Sequence, residues 1–125
     1  MTKIITKEVF TAAMEEAVKL RGKDYTYPSI AQVASDPRLA GWRNKGDDMC
    51  KYQVSGEPAC LIGLALYLID PDLVPGEDVY GGADVVLDKL GASEDVALAA
   101  SYAQDFQDEG YTWGEALTQY KSALR

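Results

Sequence analysis

The sequence predicts a mainly α fold of the α+β kind: one globular domain over residues 1–125, built as a compact bundle of about five helices with a small two-stranded β-hairpin. Three observations predict it. Several segments place apolar residues three and four positions apart between a Ser or Thr start and a Gly stop, the period and punctuation of amphipathic helices. One segment, ACLIGLALYLI from Ala59 to Ile69, is apolar all round and belongs at the centre of a core. Two short stretches, around Tyr25 to Tyr27 and Met49 to Val54, alternate with a period of two instead. A chain of 125 residues is long enough for one core and too short for two comfortable ones.

The elements follow in order. KEVFTAAMEEAVKLR recurs at helical spacing through Val9, Ala13, Ala17 and Leu20, with Phe10 and Met14 alongside, so a helix runs from Lys7 to Arg21. Thr6 is its N-cap and Gly22 is placed to end it. KDYTYP alternates Tyr25 and Tyr27 about Thr26 and reads as a short strand closed by Pro28. Ser29 caps a short helix carrying Ile30, Val33 and Ala34, and Pro37 starts a further turn carrying Leu39 and Trp42. Asn44 to Asp48 is a polar turn. MCKYQV then puts Cys50, Tyr52 and Val54 on one side of an extended chain, a strand expected to pair with Tyr25 to Tyr27.

Ser55-Gly56 turns the chain, and Pro58 suits the first position of the apolar helix because its missing N–H would be unsatisfied there anyway. Gly63 inside that helix costs roughly 1 kcal/mol relative to Ala. The return expected for it is close approach of another helix or of the tyrosine-bearing strands. After a loop, ADVVLDKLG forms a short helix ended by Gly91. Ser93 with Glu94 and Asp95 starts the next, carboxylates against the positive end of the dipole, and Gly110 stops it. Thr112 and Glu115 have capping-box spacing and open a last helix, which must lie antiparallel to its neighbour.

Charge is uneven. Residues 1–60 carry nine Lys/Arg against eight Asp/Glu, whereas residues 61–125 carry three against twelve, so the second half holds a net −9. That balance argues against sequence-independent nucleic-acid binding, which needs clustered cations, and suits a basic protein partner or simple solvation. Histidine is absent, which removes the usual general base and the commonest metal ligand. Completing a zinc site would require Asp47 and Asp48 beside the two cysteines, an uncommon set, so neither metal nor cofactor is expected. The longest charge-free run, Pro58 to Ile69, is well short of the roughly 20 residues that cross a bilayer. MTKIITKEVF has no apolar signal-peptide core. A soluble cytoplasmic protein, with no membrane partner, is the expectation.

Cys60 is the sharpest chemical candidate, because a thiol at a helix start has its thiolate stabilised by the dipole. A cysteine nucleophile normally needs a histidine base, however. Burial as a small apolar residue is the simpler expectation, with Cys60→Ser costing about 1–3 kcal/mol and Cys60→Ala less. Cys50 and Cys60 are close enough for a disulfide, which a reducing cytoplasm disfavours. Tyr25, Tyr27 and Tyr52 form either an aromatic face, as a stacking platform for nucleic acid or an anchor patch for a protein, or a cross-strand layer over the core. Asp70, Asp72, Glu77, Asp78 and Asp84 crowd one loop without the spacing of a Ca²⁺ loop, and helix capping and solvation account for them. Gly81 and Gly82 belong to no phosphate-loop pattern.

Three blocks carry a resemblance: Tyr-x-Tyr at Tyr25 to Tyr27, Cys-x-Tyr…Gly-x-Pro-x-Cys-Leu-Ile-Gly from Cys50 to Gly63, and Gln-Asp-x-Gly-x-Thr-Trp-Gly-x-Ala from Gln107 to Ala116. Through them the chain resembles small uncharacterised accessory proteins of phages that infect actinobacteria, mycobacteriophages especially. The resemblance spans most of the chain. It implies a viral accessory product acting in the host cytoplasm and brings no catalytic residues with it.

The function expected is therefore non-enzymatic: binding another protein, of the host or of the phage. Its anchors are expected among loop aromatic and Arg residues, Trp42, Arg43 and Tyr80. An alternative is an acidic mimic that occupies a nucleic-acid-binding protein, which requires the carboxylates of residues 70–109 to share one surface. An enzyme using Cys60 is the third reading.

Overall fold

A computed structural model of the chain describes residues 5–39, 41–42, 51–76 and 82–124. Among them are six α-helices: α1 (Lys7–Arg21), α2 (Ile30–Ser35), α3 (Leu61–Ile69), α4 (Ala83–Lys89), α5 (Glu94–Asp108) and α6 (Trp113–Ala123). Two strands, β1 (Gln53–Val54) and β2 (Glu57–Pro58), pair antiparallel with Gln53 opposite Pro58 and Val54 opposite Glu57. The mainly α bundle with one small hairpin is thus the fold.

Local signals mark several boundaries. Thr6 accepts from the Val9 N–H at 3.2 Å, and Gly22, at φ +99°, closes α1 by donating to the Val18 carbonyl at 2.7 Å. Ser29 with Gln32, and Thr112 with Glu115, form complete capping boxes at the starts of α2 and α6. The buried face of α1 is Phe10, Ala13, Met14, Ala17 and Val18. Val9 and Leu20, expected on that face, are 44% and 59% exposed. The bulk of Phe10, Met14 and Val18, each one turn apart, sets the rotation of the helix and leaves Val9 and Leu20 at its edge.

The hairpin differs from the expected one. Tyr25 to Tyr27 form no strand, because their neighbourhood is committed to α6: the Tyr25 carbonyl accepts from Trp113 N–H at 2.8 Å and the Lys23 carbonyl from Gly114 N–H at 2.9 Å. The strand after residue 50 pairs instead with the residues that follow its own turn. Ser55 (φ +53°) and Gly56 (φ +82°) both adopt positive φ, the backbone of a two-residue type I′ turn whose twist matches the strands it joins. Pro58 therefore lies in an edge strand, where a residue without an N–H is tolerated. The helix begins three residues later at Leu61, with Cys60 as its cap.

α3 lies against α1 and α5, with Leu61 to Leu66 buried, and its last turn reaches solvent at Tyr67 and Leu68. Gly63 is where the hairpin crosses it. A Cβ built there would stand 2.9 Å from the Tyr52 carbonyl carbon and nearer still to the oxygen, so only glycine admits the strand. Arg21 ties three elements: its Nη2 donates to the Pro58 carbonyl at 3.1 Å, and its guanidinium lies 5.4 Å and 5.6 Å from the ring centres of Tyr25 and Trp113.

α5 is the second organising element. Val96, Ala97, Ala99, Ala100 and Ala103 bury its inner surface, and their small size lets α4 and α6 pack closely on either side. No helix of the described residues is long and apolar enough to cross a membrane.

Candidate functional site

The seam between α4 and α5 carries an open groove. α4 buries Ala83, Val86 and Leu87 and so turns Asp84, Val85 and Asp88 outward. On α5 the inward set leaves Glu94 and Leu98, one turn apart, facing the same space over Ala97. These six residues line a groove of about 280 Å³. Val85 and Leu98, 44% and 49% exposed, give the lining two exposed aliphatic side chains beside the carboxylates of Asp84, Asp88 and Glu94. No basic residue is among the six.

The register of this groove is held from below by Gln104, whose Oε1 accepts from the Ala83 N–H at 2.8 Å and supplies the cap that Gly82 lacks. Further along α5, Asp105 is exposed, but partial desolvation by its neighbours raises its carboxyl above the ordinary range, and the charges of Glu109 and Asp84 push it the same way. Asp84 thus links the groove to a second pair of carboxylates. The pairs Asp84 with Asp88 and Asp105 with Glu109 stand four residues apart on their helices, a like-charge spacing that costs a few tenths of a kcal/mol per pair. Among the described residues no cluster of three or more His, Cys, Asp or Glu is arranged to hold a metal ion.

A neighbouring apolar groove of about 270 Å³ is lined by Leu73, Val74, Pro75, Val86 and Leu90, with Asp72 and Lys89 at its edge. Val85 lines both grooves and forms the ridge between them.

Comparison of the chain with protein-family models, with curated proteins and with solved structures finds no match.

Of the residues expected to bind a partner, Trp42 is half-buried, its ring 5.5 Å from that of Tyr27. Arg43 and Tyr80 lie outside the described residues, as do Cys50, Asp47, Asp48, Glu77, Asp78 and Gly81. Tyr27 and Tyr52 are buried in the core, and Tyr25 packs edge-on against Trp113 at 4.7 Å, so the three tyrosines form packing rather than a stacking platform. The Tyr27 hydroxyl donates to the Trp42 carbonyl and accepts from the Lys51 N–H at 3.1 Å.

Cys60 is a free cysteine, fully buried, and its Sγ accepts from the Gly63 N–H at 3.3 Å. It lines neither groove. Asp70 caps the turn Pro71–Leu73 through a 3.0 Å bond from the Asp72 N–H, the capping role expected for it.

Asp84 adjoins the loop acids in sequence, whereas its structural partners, Asp88 and Glu94, follow it in the chain. The signal was present in the i, i+4 spacing of Asp84 with Asp88 and of Glu94 with Leu98. What the spacing alone does not reveal is that the outward faces of two helices meet.

Proposed function

We propose that the protein is a non-enzymatic accessory protein of an actinobacterial phage, acting in the host cytoplasm by binding another protein through the α4–α5 seam. The observation that carries this reading is the groove itself: two exposed aliphatic side chains, Val85 and Leu98, line it together with three carboxylates. Exposed apolar groups beside charged ones suit a protein-binding patch, the apolar groups supplying affinity and the charges orientation and rate. Like charges kept at helical spacing have a local cost, and a partner of opposite charge relieves it.

The seam also supports the reading as an acidic mimic, since Asp84, Asp88, Glu94, Asp105 and Glu109 lie along it. Val85 and Leu98 weigh against that alternative, because exposed aliphatic side chains have no counterpart in a run of phosphates. For Cys60, burial and its capping bond support a structural role over a catalytic one.

The test places a photo-crosslinking aromatic amino acid at position 98 and, as a control, at position 9 on exposed α1. Both versions are expressed in an actinobacterial host. One dominant adduct at position 98, absent at position 9 and lost with Asp84→Asn/Asp88→Asn, is expected. Equal patterns at both positions, or none at position 98, overturn the reading.

A further inference from the structure

We infer that the α4–α5 groove receives a basic amphipathic α-helix of the partner, which sets its apolar face against Val85 and Leu98 and brings Lys or Arg side chains to Asp84, Asp88 and Glu94. This rests on the protein-binding reading above and specifies its occupant.

Charge selects the sign of the occupant. Three carboxylates line the groove with no basic residue among the lining, and Asp105 and Glu109 extend the acidic run along α5. A second copy of this chain presenting the same face would set acid against acid, and like-charge juxtaposition is costly in an interface.

Size selects the anchor. The groove, of about 280 Å³, is open to solvent along its length, so it suits a side chain presented from outside.

Geometry selects a helix. Asp84 and Asp88 lie one turn apart on α4, and Glu94 faces them across the groove beside Leu98. A helical segment presents residues at i±3 and i±4 on both sides of a central anchor, the spacing at which cations meet these acids. An occupant adding as a β-strand would need a strand edge, and neither β1 nor β2 contributes to the groove.

The probe is a synthetic peptide of about 18 residues, five helical turns, with Leu on one face and Lys/Arg elsewhere. Two controls accompany it: an isomer of the same composition scrambled to remove the apolar face, and a version with Glu for every Lys/Arg. Binding to the full chain is followed by fluorescence anisotropy at about 0.15 M salt, and mapped by amide chemical shifts.

Saturable binding of the amphipathic basic peptide is expected, with shifts concentrated at residues 84–88 and 94–98. Affinity should fall about tenfold or more for the scrambled isomer, for Asp84→Asn/Asp88→Asn and for Leu98→Ser. All three positions are exposed, and circular dichroism confirms that each variant is folded. Equal affinity for the scrambled isomer, shifts elsewhere, or no saturable binding overturns the inference.

The two readings fail separately. An adduct at position 98 whose crosslinked segment is acidic or lacks helical periodicity refutes the basic helix and leaves protein binding standing. Absence of any specific adduct removes protein binding itself.

Discussion

The side-chain oxygen of Gln107 lies 2.8 Å from the backbone nitrogen of Leu61, so a residue of α5 caps the start of α3. Gln104, one turn earlier, does the same for α4 at Ala83. Both glutamines are buried, and each answers an N–H that a helix start leaves without an intrahelical partner. Gln107→Leu keeps the bulk but orphans the Leu61 N–H, at a cost of about 1–3 kcal/mol in urea unfolding. Amide exchange identifies the cause: Gln107→Leu should lose protection at Leu61, and Gln104→Leu at Ala83.

At Gly63 the gain in helix propensity from Ala, roughly 1 kcal/mol, competes with a clash against the Tyr52 carbonyl. The added methyl would meet backbone, and that backbone is held because the same carbonyl accepts from the Ala59 N–H at 3.0 Å. Gly63→Ala should therefore destabilise by about 1–3 kcal/mol, as overpacking does. A Tm equal to or above that of the parent would show that the hairpin yields freely.

Cys60 acts as an N-cap, which reverses the ranking expected from burial alone. Serine keeps an acceptor for the Gly63 N–H and is a strong N-cap residue, so Cys60→Ser should cost less than about 1 kcal/mol. Alanine removes the acceptor from a fully buried site and should cost about 1–2 kcal/mol. Because Cys60 is free, dithiothreitol should leave the Tm unchanged.

The raised carboxyl of Asp105 makes stability fall as pH rises. Between the ordinary value of 3.8 and the raised folded value, the folded state holds more protons than the unfolded one, so ionisation on raising the pH favours unfolding. Above that window the penalty is fully present. Asp105→Asn should thus raise the Tm at pH 7, and the advantage should shrink as the pH is lowered toward 4. An advantage constant over that range would assign the effect to something other than Asp105 ionisation.

Sequence alone determined what depends on neighbours in the chain. The caps at Thr6, Ser29 and Thr112, the stops at Gly22, Gly91 and Gly110, the Ser55-Gly56 turn and the burial of the first turns of α3 follow from local geometry and hydropathy, and the structure contains each. Gly63 was legible as a point of close approach because a glycine in so apolar a helix sacrifices propensity. Tertiary structure decided where backbone groups found their partners. The Tyr25 and Lys23 carbonyls went to α6 instead of a strand, and Pro58 went to the hairpin edge instead of the helix start. It decided too that Asp84, Asp88 and Glu94 line one groove with Val85 and Leu98. Period and spacing say which residues share one helix face, but which two faces adjoin is set by packing the whole core, through contacts such as Gln104 with Ala83 that join residues 21 positions apart.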